Sequence, residues 1–296
     1  MTVAATRTTT RTQGQRAPGL VSKPKQGWLS KAVLYVIMSV LAIMFLLPLI
    51  WMIGSSLKPE ADVLAVPPTF LPLHPDWSNY AEVFRIIPTY FWNSVKLATL
   101  NVSGILITSS LAGFAFGRLR FWGRNFFFMV VLSTAIVPGI VYLIPQYILF
   151  SKIGWVDTHY PLWVPRVFTP VFATFLMRQA FITLPQELED AGRIDGSSTF
   201  GIYLRIMLPQ TKPTLAAIGM FTFLDSWNDL FGPLIFLNTP SLQTLPVAMA
   251  EFQTQYFTRV SLLMAAATIS VLPVLVIYLL AQRYFIQGIT TSGLRG

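Results

Sequence analysis

Cysteine is absent from the 296 residues, which excludes disulfides, thiol nucleophiles and thiolate metal sites. Histidine is nearly absent too. His74 and His159 are the only two. They lie far apart in expected loops, and that spacing argues against a metal site. No GxxxxGK[ST] stretch occurs, so the chain carries no P-loop of its own. Charge is scarce: 11% of residues are charged, against about 25% in ordinary soluble domains, while 54% are hydrophobic. A soluble fold of this length could not hide that much apolar surface, because its outside still has to meet water. The bilayer is the natural solvent for most of the chain.

The net charge of +9 does not mark a nucleic-acid binder. The basic residues are spread between apolar blocks and form no single stripe. The first 30 residues lack the short apolar core and small-residue cleavage site of a signal peptide. Rich in Thr, Arg, Gln and Gly, they read as a disordered basic tail.

What is present is a set of apolar blocks, roughly 32–56, 90–116, 126–149, 160–182, 211–236 and 260–282. Each reaches the roughly 20 residues that cross a bilayer core. The expectation is therefore an all-α integral membrane protein with six transmembrane helices. Ala32 to Ile53 holds no charge. Lys96 and Arg166 lie near block ends, where long basic side chains reach the headgroups. Pro138 and Pro145 interrupt the third block and read as kinks. Asp225, Asp229 and Pro233 interrupt the fifth. Phe126 to Phe128 read as lipid-facing or interfacial.

Loop charges give an orientation. Arg7, Arg11, Arg16, Lys23, Lys25 and Lys31 precede the first block with no acid among them. Arg118, Arg120 and Arg124 follow the second, again without an acid. By contrast, 57–89 sets Lys58 and Arg85 against Glu60, Asp62, Asp76 and Glu82. The tail and even-numbered loops then face the cytoplasm, as does the end with Arg283 and Arg295. The stretch 57–89 holds six prolines (59, 67, 68, 72, 75 and 88). It excludes a long helix and reads as an extended extracytoplasmic segment. No internal repeat survives counting, which weakens an inverted-repeat secondary transporter.

The loop 183–209 is the most informative. Thr183 with Gln186 three residues on is a capping-box pattern, and Pro185 suits a first helical turn. Glu187, Glu189 and Asp190 follow where the helix dipole favours acids. Asp195-Gly196 is a turn signal, and Ser197 or Ser198 can cap a second helix. There Phe200, Tyr203, Leu204 and Met207 give one apolar face at helical spacing, and Leu208-Pro209 breaks the helix. One reading is an ordinary interfacial helix pair that needs no partner. Such helices favour Lys and Arg on their polar face, however, and here acids dominate.

This segment resembles the EAA loop of the permease subunits of ABC importers. Asp190-Ala191-Gly192 stands at the Glu-Ala-Ala place, with Gly196, Ile206, Leu208 and Pro209 at the family spacing. Pro185, Glu187, Leu188, Ile194 and Asp195 match the carbohydrate-uptake branch. So do Trp227-Asn228-Asp229 and the ending Gln282-Arg283-Tyr284-Phe285-Ile286-Gln287-Gly288, closing on Gly293 and Gly296. The resemblance covers roughly 30–296. It departs at Asp190, which replaces Glu, and at Gly192, which replaces Ala at up to about 1 kcal/mol of helix propensity.

The resemblance implies a type I importer permease fold with a cytoplasmic coupling helix seated in a groove of a separate ATPase. Glu187, Leu188, Glu189, Asp190, Ala191, Gly192, Asp195 and Gly196 would form the docking segment. This chain would do no bond chemistry and bind no cofactor; ATP and Mg would sit on the partner. The implied partners are a second permease in a heterodimer, an ATPase dimer, an extracytoplasmic solute-binding protein and membrane lipid. The implied cargo is a sugar, polyol or glycerol phosphate. Asp225 and Asp229, four apart, share one helix face. With Trp227 and Asn228 they either line the translocation path or lie near the outer interface, where they fix the helix end or contact the receptor protein. An ion-coupled transporter, an intramembrane enzyme and an inert scaffold are the rivals. The first leaves the loop unexplained, and the second lacks a nucleophile or metal cluster.

Overall fold

The computed structural model describes residues 28–292 apart from 66, 68 and 256–258. The expected disordered tail, with Arg7, Arg11, Arg16, Lys23 and Lys25, lies outside the described residues, as do Gly293, Arg295 and Gly296. The chain divides into two compact units, Met1–Pro48 and Leu49–Gly296. Most of helix α1 (Trp28–Ser56) belongs to the first, with a mean hydropathy of 2.8. It matches the first apolar block.

Among the described residues, the regular elements of the second unit are all helices. After α1 come α2 (Glu60–Val63), α3 (Ser78–Ile86) and α4 (Pro88–Arg118). The third block splits into α5 (Arg124–Ser133) and α6 (Gly139–Lys152), and the fourth into α7 (Tyr160–Phe168) and α8 (Val171–Ile182). The loop carries α9 (Glu187–Ile194) and α10 (199–210). The fifth block forms α11 (Lys212–Trp227) and α12 (Phe231–Phe236); α13 (Leu245–Gln255) and α14 (Val260–Ser292) follow.

Six uninterrupted spans are not what the helices form. Among the described residues three helices are long and apolar enough to cross a membrane: Trp28–Ser56, Pro88–Arg118 and Val260–Tyr284. The count reaches five if two bent pairs each make one span. One pair, Arg124–Ile136 with Gly139–Lys152, turns through 96°. Pro138 is the cause: a residue before proline is pushed out of the α region, and Val137 sits at φ −78°, ψ 116°. Pro145, by contrast, lies inside α6 and does not end it. The first helix of the fifth block stops at Trp227 after 16 residues.

The stretch 57–89 is not wholly extended either. Five of its six prolines come before Asp76, and the proline-free run 76–87 holds α3. This segment clamps the start of α14. Glu60 accepts from the Val260 and Ser261 amides at 2.7 and 2.9 Å, and Glu82 takes Arg259 bidentately at 2.6 and 2.7 Å. Lys58 is buried and donates to the Thr69 carbonyl.

Helix α4 is the axis of the unit. In lipid, helices associate through close packing and hydrogen bonds rather than through a hydrophobic gain, so small residues matter. A Cβ on Gly113 would come within 2.5 Å of Met177 Cβ and 2.8 Å of the Arg178 nitrogen, so only glycine lets α8 lie this close. Phe114, Met177, Phe181, Tyr203 and Met207 form the core at that end. At the other end Val83, Ala98, Trp227, Leu245 and Leu262 pack together.

Candidate functional site

The last turn of α4 ends in Arg118, whose charge was read above only as a topology signal. Its guanidinium donates to the Phe181 carbonyl at 2.8 and 2.5 Å and to that of Leu184. It also lies 3.2 Å from a carboxylate oxygen of Glu189. Both side chains are nearly out of solvent, at 11% and 7% exposure. A cation at a helix C-terminus satisfies carbonyls that the helix leaves open. Arg118 does this for α8 and at the same time neutralises a buried acid on α9. Arg193 adds a longer contact to Glu189 at 3.4 Å.

The acids fall in the first turn of α9 as expected, but the capping box does not form. Thr183 stays with α8 and donates to the Ala180 carbonyl at 2.8 Å; Pro185 precedes the helix, and Gln186 at the N-cap makes no side-chain bond. The other end follows the sequence closely. Gly196 has φ +77°, its amide bonds the Arg193 carbonyl, and the Ser197 amide bonds that of Gly192. This is a Schellman closure, which favours glycine at that position.

The structure sorts the eight residues of the expected docking segment. Glu187, Asp190, Ala191, Asp195 and Gly196 face outward, while Leu188 is half-buried and Glu189 and Gly192 are buried. Ile194, from the family pattern, is 86% exposed. Gly192 acquires a physical reason: a Cβ there would stand 2.7 Å from Ile206 Cδ1 and 3.1 Å from Ile202 Cγ1. The departure from Ala lets α9 settle onto α10.

In α10 the Ser198 hydroxyl accepts from the Gly201 amide at 3.1 Å. The expected apolar face is corrected: Tyr203 and Met207 are buried, but Phe200 and Leu204 are exposed, and Ile202 is buried instead. The reason is a π-turn over Ile202–Met207. Its wider winding puts Ile202 on the buried face with Tyr203 and Met207 and turns Leu204 outward. Pro209 lacks the amide that would bond the Arg205 carbonyl, so the ladder is already broken there. The helix nonetheless continues to Gln210. Tyr203 bonds Ser110 of α4 through their hydroxyls at 2.8 Å.

A second arginine gathers the acids of the fifth block. Arg166 of α7 bonds Asp225 at 2.9 Å and Asp229 at 2.7 Å. The shared face of the two acids is thereby realised, and reaching for headgroups does not describe Arg166. Sequence reasoning missed the pairing, although an isolated base in one apolar block and acids in another were the available signal. Asp229 also accepts the Gly232 amide at 3.1 Å, which fixes the break before α12. Asp225 is 74% exposed. Asn228 is exposed, its amide donating back to Leu224 at 2.9 Å. Trp227 turns away: it is buried, stacked on Phe223, with its indole N–H on the Ser270 carbonyl at 3.1 Å.

Near the start of α4, the loop 237–244 is held from several sides. Asn93 donates to the Ser241 and Gln243 carbonyls, both at 2.9 Å. His159 Nε2 meets the Leu242 carbonyl at 2.8 Å, and burial lowers the His159 pKa. Asp157, at φ +61°, accepts from the Asn238 and Thr239 amides and from the Thr239 hydroxyl at 2.6–2.9 Å. The Thr239 hydroxyl, then the two amides, hold its carboxyl below the usual carboxylate range.

Helices gathered round α4, an acid-bearing helix held out at one end and ionised groups within apolar blocks together define a membrane transport subunit. Residues 107–291 match the family described as binding-protein-dependent transport system inner membrane component, and the chain belongs to that family. It is an inner-membrane permease of a binding-protein-dependent importer; an ion-coupled secondary transporter is not favoured. It is 33% identical over 261 residues to the arabinooligosaccharides transport system permease protein AraQ of Halalkalibacterium halodurans, covering 86% of this chain and 93% of that protein. It is 30% identical to the lactose transport system permease protein LacG of Rhizobium radiobacter, covering 87% and 94%. Its fold matches a chain of a bacterial ABC transporter that imports the acidic polysaccharide alginate. The TM-score is 0.76 at 24% identity, covering 89% of this chain and 100% of that one.

Proposed function

We propose that this permease carries a sugar, or a related polyol or glycerol phosphate, into the cytoplasm as one half of a heterodimeric channel. Residues 31–296 form the permease domain and 1–30 a cytoplasmic tail. The six apolar blocks make six spans, broken ones included, with both termini inside. A partner ATPase dimer binds and hydrolyses ATP with Mg, and an extracytoplasmic binding protein delivers the cargo. The relatives' arabinooligosaccharide and lactose systems support the substrate class.

One observation carries the docking reading. Helix α9 is pinned through a buried acid, yet it presents Glu187, Asp190, Ala191, Ile194, Asp195 and Gly196 outward. An isolated amphipathic helix would bury its apolar positions, but here Ile194 is left uncovered for a groove. The acids meet basic groups on the ATPase. Because Arg118 ties α9 to α4, movement of the docked helix passes directly to the axis of the bundle. Asp225, Asn228 and Asp229, with Arg166, offer hydrogen-bonding groups to sugar hydroxyls along the path; Trp227 supports them from behind.

The test is co-purification of the ATPase with Glu187→Lys and Gly196→Asp variants. Both are expected to lose the ATPase and transport while the permease still inserts. Retention of both activities would remove the docking assignment.

A further inference from the structure

Between α4 and α5 the chain turns through 119–123, and a cavity of about 470 Å³ opens there, lined by Arg120, Phe121, Gly123, Arg124, Asn125 and Phe126. We propose that this cavity binds the phosphate headgroup of an anionic phospholipid.

The electrostatics come first. Arg118 next door is committed to Glu189. Arg120 is exposed and makes no hydrogen bond or ion pair among the described residues. Arg124, half-buried, donates only to neutral oxygens: the Leu119 carbonyl at 3.2 Å and the Asn125 side chain at 3.4 Å. No Asp or Glu lines the cavity. Two guanidiniums without a carboxylate leave planar donor forks free, and phosphate oxygens match them.

The surroundings select a lipid. Trp122 is 90% exposed beside the cavity, and tryptophan favours the headgroup level of a bilayer. Phe126, Phe127, Met129 and Val130 continue the exposed surface along α5 as an apolar run. Headgroup donors and acyl-chain contacts thus follow one another within eleven residues of a chain whose family resides in the inner membrane. Basic pockets at such a boundary suit anionic headgroups. A protein dock fits less well. Arg118 holds this loop at the same end as α9, whose outward face carries Glu187, Asp190 and Asp195. A partner with basic groups for α9 would be repelled by Arg120 and Arg124.

The experiment uses the assembled importer in nanodiscs of phosphatidylcholine mixed with phosphatidylglycerol. Lipid retention is read by native mass spectrometry. Wild type is expected to keep bound phosphatidylglycerol, and Arg120→Gln with Arg124→Gln to weaken it about thirtyfold, the sum of two surface-level basic contacts. Arg120→Gln alone, which removes no internal bond, is expected to weaken it about fivefold and keeps the test valid if the double variant misfolds. Arg85→Gln, on α3, is expected to change nothing. Equal retention by the variants and wild type would overturn the proposal. So would displacement of the lipid by inorganic phosphate at comparable concentration, which would make this a free-anion site. Loss of the ATPase with lipid retention intact would show a protein dock and overturn it as well.

Discussion

Arg118 and Arg166 each bridge segments about sixty residues apart in sequence, 63 and 59 respectively. They are held differently. Arg118 donates to two backbone carbonyls, forms an ion pair with one buried carboxylate, and is 11% exposed. Arg166 binds two carboxylates, one of them 74% exposed, and is itself 33% exposed. The first arrangement faces inward: the pair is buried, and removing Arg118 leaves the Glu189 carboxylate with only its longer contact to exposed Arg193. The second is open, because Asp225 keeps acceptor capacity toward whatever passes it. The contrast separates a fastening from a contact surface although both use the same side chain.

The sharpest test of that contrast is Arg118→Ala. Breaking a buried pair by removing one partner costs about 3 kcal/mol or more. Thermal unfolding in detergent is expected to show the loss, with Glu189→Gln milder because a neutral amide needs no countercharge. Arg166→Gln is expected to leave unfolding nearly unchanged and to slow transport about tenfold, roughly 1.4 kcal/mol. Equal destabilisation by the two would erase the distinction. Gly196→Ala places a Cβ in the left-handed region and is expected to cost about 1 kcal/mol, read as a lowered Tm. Tyr203→Phe removes one interhelical hydrogen bond at the fastened end and is expected to cost about 0.6 kcal/mol, the average for such bonds in membranes.

A pH dependence belongs to the loop near the start of α4. The Asp157 carboxyl has its folded pKa depressed by Thr239 and Asn238. Its contribution is present above the ordinary carboxylate value and is lost as pH falls through the depressed one. Faster amide exchange at Asn238 and Thr239 is expected only at strongly acidic pH, and Asp157→Asn should flatten that response.

The all-helical class, the apolar blocks, the turn at Gly196 and the break at Pro138 were legible because each rests on a local rule. Hydropathy, positive φ and the restriction before proline act within a few residues. Arg118 and Arg166 were misread for the opposite reason: their partners lie in other blocks, and periodicity carries no information about which helix faces which. Gly192 looked like a local loss of propensity until Ile202 and Ile206 were seen to occupy the space a Cβ would need. Trp227 sat within a polar motif, and nothing local told which side of the helix the indole would take.

The π-turn at Ile202–Met207 also sets a rule about length. An α-helix advances about 100° per residue, and a π-turn is what remains when one residue too many is wound into it. Deleting one residue between Ile202 and Met207 would return the segment to α winding and leave the helix beyond Pro209 close to its present phase. The interval from Gly196 to Pro209 therefore has one residue of slack: it is expected to tolerate exchange at exposed Phe200 and Leu204 and loss of one residue within the π-turn, and to resist a further insertion.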